Sequence, residues 1–129
     1  MADFGIVTTS TDYTMQPAEL GRWLEAHGFE SLWFGEHSHI PTSRKSPYPG
    51  GELPQFAKEL FDPFIGLTAA AVTTTKLKLG TSVCLIPQHN PINLAKTVTC
   101  LGSRVEGEIC VWHRRRMERG GNGGSRRRV

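Results

Sequence analysis

Apolar and polar positions follow one another along the chain in blocks whose period switches between strand and helix. Phe4-Gly5-Ile6-Val7-Thr8 is a short, β-branched run that predicts a first strand. Pro17 suits a first helical turn. Leu20, Trp23, Leu24 and His27 then recur at the spacing of one helical face, which puts Trp23 in the expected core. Gly28 follows where a left-handed residue ends a helix. Ser31-Leu32-Trp33-Phe34 is a second apolar run, expected as a buried strand with Trp33 in the core, and it breaks off into Gly35-Glu36-His37-Ser38-His39-Ile40-Pro41. Asp62-Pro63 reads as a helix start, because an aspartate cap accepts from free amides and the proline beside it needs no donor. That helix carries Phe64, Ile65, Leu67, Ala70 and Ala71 and is expected to end near Thr74. A third strand is predicted over residues 77–84, with Lys76 and Lys78 at its solvated start. Asn90-Pro91 repeats the cap-plus-proline device and opens a helix with Ile92, Leu94, Ala95, Val98 and Leu101.

The resulting order, β-α-β-α-β-α with crossover helices, predicts an α/β fold: a parallel sheet with helices packed outside it. A closed (β/α)₈ barrel takes roughly 250 residues, so three such units make less than half of one. An open doubly wound sheet is the other candidate, but the first strand is not followed by a glycine-rich phosphate loop. Either way the loops after the carboxyl ends of the strands are where a ligand site is expected, and Glu36, His37 and His39 sit in one. Residues 42–54, with three prolines and two glycines, read as a long loop on that same end, of a length common in lids and binding loops. Gly50-Gly51 within it reads as a turn.

Length changes the picture little: 129 residues make one small domain, and 38% apolar with 21% charged is ordinary for a globular protein. The longest apolar run, residues 64–72, is too short to span a bilayer and no secretory leader is legible, so a cytoplasmic protein without membrane contacts is expected. Cys84, Cys100 and Cys110 make no C-x-x-C pair, and His37-x-His39 lacks a third ligand, so no disulfide framework and no metal are expected. Charge matters more than its total of +3. Residues 102–129 hold eight of the fifteen basic residues, all arginine, against three acids, and the preceding 101 residues carry a net negative charge.

Several of these residues together resemble the amino-terminal part of the bacterial-luciferase-like oxidoreductases. They are Phe4-Gly5-Ile6, the helix ending in His27-Gly28-Phe29, Ser31-Leu32-Trp33-Phe34-Gly35-Glu36-His37, Asp62-Pro63, and Leu77-Lys78-Leu79-Gly80-Thr81-Ser82-Val83 through Asn90-Pro91. The block Glu36-His37-Ser38-His39-Ile40-Pro41, with Pro47-Tyr48-Pro49-Gly50-Gly51-Glu52-Leu53-Pro54, is more narrowly similar to a branch that uses the deazaflavin coenzyme F-420. The resemblance covers residues 3–101 and implies the first three βα units of a (β/α)₈ TIM barrel, truncated. It implies a parent enzyme, an oxidoreductase or monooxygenase that moves a hydride between F-420 or FMN and a small organic substrate, with a homo-oligomer left open. His37 matches a position where relatives place a histidine near the reactive ring; an imidazole exchanges protons near neutral pH. Glu36 beside it is expected to orient that imidazole. Thr81, Ser82 and Val83 match a bulge that in relatives includes a non-proline cis peptide backing the ring. Asn90 matches a position near the ring's polar edge, besides its work as a helix cap. His39 is expected to be an ordinary loop residue.

Beyond Leu101 the periodic patterns stop, and the expected domain of residues 1–101 gives way to a Gly/Arg-rich tail over residues 102–129, expected to be disordered. A codon choice exists for residues 101–122 in which removing one guanine from the Gly102 codon gives L-D-R-V-S-K-G-R-F-V-F-G-I-G-A-G-W-N-V-E-E-M. That is a fluent fourth strand and glycine-rich turn of the same family. The tail therefore reads as a frameshift product, which also accounts for arginine without lysine, and the truncated chain is expected to be inactive. The alternative is a small non-enzymatic α/β module with a basic nucleic-acid-binding tail, although arginines clustered by accident bind nucleic acid without specificity.

Overall fold

A computed structural model describes residues 3–40, 51–103 and 109–113. In chain order the elements are β1 (Gly5–Thr8), α1 (Pro17–Ala26), β2 (Ser31–Phe34), α2 (Pro63–Ala71), β3 (Lys78–Cys84), α3 (Pro91–Gly102) and β4 (Ile109–His113). Short 3₁₀ turns, Gln55–Lys58 and Ile86–Gln88, precede α2 and α3. The four strands form one wholly parallel sheet in the order β1-β2-β3-β4, so each helix is a crossover between neighbouring strands.

The helix starts follow the chemistry of the chain. Asp62 Oδ1 accepts from Phe64 N (2.8 Å) and Ile65 N (3.1 Å), and Asn90 Oδ1 accepts from Ile92 N (3.0 Å) and Asn93 N (3.2 Å), with a proline first in each helix. Gly28 takes φ +75° just past α1, the left-handed geometry its position calls for.

Two faces of the sheet divide the packing. Leu32 and Phe34 of β2 align with Leu79 and Thr81 of β3, and all four are buried beneath the helices, where Leu24, Phe64, Leu67, Ala70, Val98 and Leu101 complete the core. Trp33 lies on the opposite, concave face in register with Gly80. A Cβ built on Gly80 would stand 2.4 Å from the Trp33 ring and 2.8 Å from the Cys110 carbonyl oxygen, so only glycine leaves the indole its place. The Trp33 Nε1–H donates to Ser31 Oγ at 2.9 Å, which fixes the ring along the strand.

Two expectations about the chain need correction. Trp23 is not core: it is 46% exposed and stacks on His27 at 3.9 Å. The face α1 turns to α2 is Pro17, Gly21 and Leu24, because Gly21 lets the helices approach until a Cβ there would sit 3.1 Å from Ala70 Cβ. The stretch after Leu101 is not patternless throughout. Residues 109–113 pair with β3 as β4, a run whose Ile109, Val111 and Trp112 suit a strand. The loop expected over residues 42–54 lies mostly outside the described residues, as does the greater part of the tail.

Glu25 pins the α2–β3 connection to α1. Its carboxylate accepts from Thr75 N, Lys76 N and Leu77 N at 2.5–2.9 Å. Burial pushes its pKa up, but these three donors and the Lys76 charge outweigh that and hold it below the ordinary 4.5. The folded value is below the unfolded one, so the contribution is full above the unfolded value and fades as pH falls through the folded value. Glu25→Gln is expected to lose about 1–2 kcal/mol at neutral pH, with the gap from the parent closing in acid, as read by urea denaturation at both. An equal gap at the two pH values would contradict the assignment. Gly80→Ala is expected to cost about 1–3 kcal/mol by the same measurement, because neither the indole nor the β4 backbone can retreat freely.

Candidate functional site

The carboxyl ends of β2 and β3 lie side by side, Phe34 paired with Thr81, and the segments leaving them carry most of the expected site residues. Gly35 runs close to β3, within 3.7 Å of the Ser82 carbonyl oxygen as measured from a Cβ built on it. The next two residues part company.

His37 turns outward and is exposed, with its Nδ1 2.8 Å from the Ala57 carbonyl oxygen. A carbonyl can only accept, so Nδ1 carries the hydrogen; in the neutral ring Nε2 is then the lone-pair nitrogen. The 3₁₀ turn Gln55–Lys58 that supplies Ala57 is itself closed by Glu59 N donating to Phe56 O at 3.1 Å. The imidazole is therefore held by a backbone group twenty residues away, and its other nitrogen is left for chemistry.

Glu36 does not turn to His37. It is buried to 6% exposure, and its Oε2 accepts from Leu85 N at 2.6 Å while its Oε1 lies 2.5 Å from His89 Nε2. The Cys84 thiol lies beside Glu36, within 4.8 Å; burial, together with that carboxylate and Asp62, pushes the thiol up to about 12. The expectation that Glu36 orients His37 fails for a geometric reason: successive side chains leaving a strand point to opposite sides. Ser38 donates to Gln88 Oε1 and lies 2.8 Å from His39 Nδ1, so a second contact ties the β2 end to the 3₁₀ turn after β3, and His39 stays an exposed loop residue.

The three β3 residues divide by side. Thr81 is fully buried on the helix side in register with Phe34, its Oγ1 without a hydrogen-bond partner among the described residues, so its side chain does not reach the concave face. Ser82 and Val83 are half-buried, the peptide bond between them is cis, and the register against β4 shifts between Ser82 and Cys84, where a bulge was expected. Asn90 is exposed and its Oδ1 is engaged by two α3 amides. The sequence pointed to neither His89 nor Cys84 as a site residue, Cys84 counting there only as one of three unpaired cysteines. The available signal was a buried acid in need of partners, and it became legible only when β2 and β3 were paired.

The concave face offers a planar ring an open apolar wall: Val7 is 65% and Trp112 42% exposed, and Trp33 lies between their strands. Ser82 is in register with Trp112 on the same wall. These residues fit the ring portion of a flavin or deazaflavin, whereas no phosphate cradle is present among the described residues. A separate open groove between α2 and α3, bordered by Ile65, Thr68, Val72 and Leu94, lies on the helix side, away from His37. No helix among the described residues is long and apolar enough to cross a membrane.

The chain resembles known proteins in sequence and in fold. An uncharacterised protein of Mycobacterium tuberculosis, and its counterpart in Mycobacterium bovis, are 34% identical over 113 residues, 84% of this chain and 40% of theirs. A 4-hydroxyprotoasukamycin monooxygenase from Streptomyces nodosus subsp. asukaensis is 34% identical over 93 residues, 72% of this chain and 21% of that enzyme. The chain thus spans less than half the length of these relatives. The coenzyme F-420-dependent tetrahydromethanopterin reductase of Methanopyrus kandleri superposes on 83% of this chain, with 26% of its own length used, a TM-score of 0.56 and 24% identity. The parallel sheet with its crossover helices is accordingly the amino-terminal part of a luciferase-like TIM barrel. The luciferase-like monooxygenase profile matches residues 5–107, and the chain belongs to that family.

Proposed function

We propose that this chain carries the ring-facing half of the site of a flavin- or F-420-dependent oxidoreductase that moves a hydride between the cofactor and a small organic substrate. The observation that carries the reading is His37: an exposed imidazole at the carboxyl end of β2, its Nδ1–H engaged by Ala57 O and its Nε2 left as the acceptor. When bound, the cofactor supplies a ring that takes up or gives out a hydride. Ser82 and Val83 would hold the ring, and Asn90, which caps α3, would offer it a polar group. His37 takes a proton at Nε2, or returns one, as the hydride moves at the substrate. The monooxygenase and the F-420-dependent reductase among the similar proteins support both cofactor classes, and oxygenation as well as reduction. No nucleic acid or membrane takes part in this reading; the assembled parent can be a homo-oligomer in the cytoplasm.

The same reading treats residues 102–129 as a product of a one-nucleotide frame change. The five residues of β4 are Ile109–His113, and in the alternative frame those five positions would read F-V-F-G-I, also an apolar, strand-forming run. Sequencing the gene around the Gly102 codon is expected to reveal an open frame running on into further βα units, and a stop soon after in that frame would overturn the reading.

In the frame-restored protein, His37→Ala is expected to lower turnover about 100-fold or more while cofactor affinity changes little, as read by steady-state kinetics and cofactor fluorescence titration. Unchanged turnover would remove His37 from the chemistry.

A further inference from the structure

We propose that Glu36, Cys84 and His89 form a binding site for a divalent cation of the zinc class. One ligand atom from each, a carboxylate oxygen, Cys Sγ and an imidazole nitrogen, lies within 4.8 Å of the others. The spacing of cysteines and histidines along the chain gave no metal signal, since these three come from residues 36, 84 and 89 and meet only through the pairing of β2 with β3.

Several features suit the site to a metal. The donor set mixes thiolate, imidazole and carboxylate, the combination of a borderline-soft ion such as Zn²⁺, and three protein ligands leave a fourth position for water. Two of the ligands are oriented by their surroundings. Leu85 N–H holds Glu36 Oε2 at 2.6 Å and leaves Oε1 turned to His89. The His89 ring packs edge-on to Phe64 at 5.9 Å and 87°, and its backbone amide donates to Ile86 O at 3.1 Å, which holds the residue's main chain in the 3₁₀ turn. Such outer contacts fix ligand orientation in metal sites. Cys84 and Glu36 are both buried, at 2% and 6% exposure, while His89 borders the open groove between α2 and α3, which gives an ion a way in.

Charge favours the exchange. In the metal-free site Glu36 shares a proton with His89 and lies beside the Cys84 thiol. A divalent ion bound by one thiolate, one carboxylate and a neutral imidazole is electrically neutral overall, which a buried position favours. Tetrahedral bonds of about 2.0–2.3 Å put ligand atoms roughly 3.3–3.6 Å apart. The His89 and Glu36 atoms would open from 2.5 Å, a movement of the kind side-chain rotation supplies.

The test is a titration of the full 129-residue chain with Co²⁺, followed by displacement with Zn²⁺. One ion per chain is expected, with a thiolate-to-cobalt charge-transfer band that Zn²⁺ bleaches. Cys84→Ser is expected to abolish the band, Cys100→Ser at the exposed thiol to leave it, and Glu36→Gln to weaken binding at least tenfold. Absence of the band in the parent, or its survival in Cys84→Ser, would overturn the site. Zinc-edge X-ray absorption of the loaded parent needs no variant to fold: one sulfur at about 2.3 Å is expected, and a shell of nitrogen and oxygen alone would also overturn it.

Discussion

A carboxylate taken out of water must be compensated where it stands, and in this chain that requirement falls on Glu36. An unpaired buried charge costs several kcal/mol, so the groups that meet it are held as firmly as any part of the core. Here they are an amide, an imidazole and a thiol that all belong to the segment leaving β3, while Glu36 leaves β2. The two loops at the carboxyl end of the sheet are thereby set against one another. The position of the cis Ser82–Val83 bond, of the 3₁₀ turn after it and of the α3 start at Asn90 follows from the same register.

The sheet's two faces impose a second constraint. On the helix side the pairing of Leu32 with Leu79 and of Phe34 with Thr81 fills the layer beneath α2 and α3. On the opposite side Trp33 takes the space that Gly80 vacates, and Val7 and Trp112 on the same face remain open to solvent. The same economy leaves β1 and β4 as sheet edges among the described residues, with apolar side chains beside them.

What the sequence disclosed follows the range of the forces involved. Caps and turns are local, so Asp62-Pro63, Asn90-Pro91 and Gly28 could be read directly, and the crossover order followed from them. Trp23 could not: helical spacing places it on the face of Leu20 and Leu24, but the approach of α2 is set by Gly21, and the indole finds His27 instead. The site was legible in the same uneven way. His37 stood out because it ends an apolar strand, whereas its partner, the Ala57 carbonyl, lies twenty residues on in the same connection, and the Glu36 partners, His89 and Cys84, lie beyond α2, at the end of β3 and after it. β4 was hidden because five strand-forming residues lie between a charged segment and an arginine cluster, where composition outweighs pattern.

The step from Glu36 to His37 is where structure and chemistry divide. One peptide unit sends the acid inward to bind β2 to β3 and the imidazole outward, exposed at the end of β2. The two side chains share a backbone but no partner, since His37 answers to the Ala57 turn and Glu36 to the β3 loop. A disturbance at Glu36 reaches His37 only by moving that backbone, and a disturbance at Ala57 leaves the Glu36 cluster intact. The run that ends β2 therefore serves two separable purposes. Its buried acid joins the ends of β2 and β3, and its exposed imidazole is held by the separate Ala57 turn.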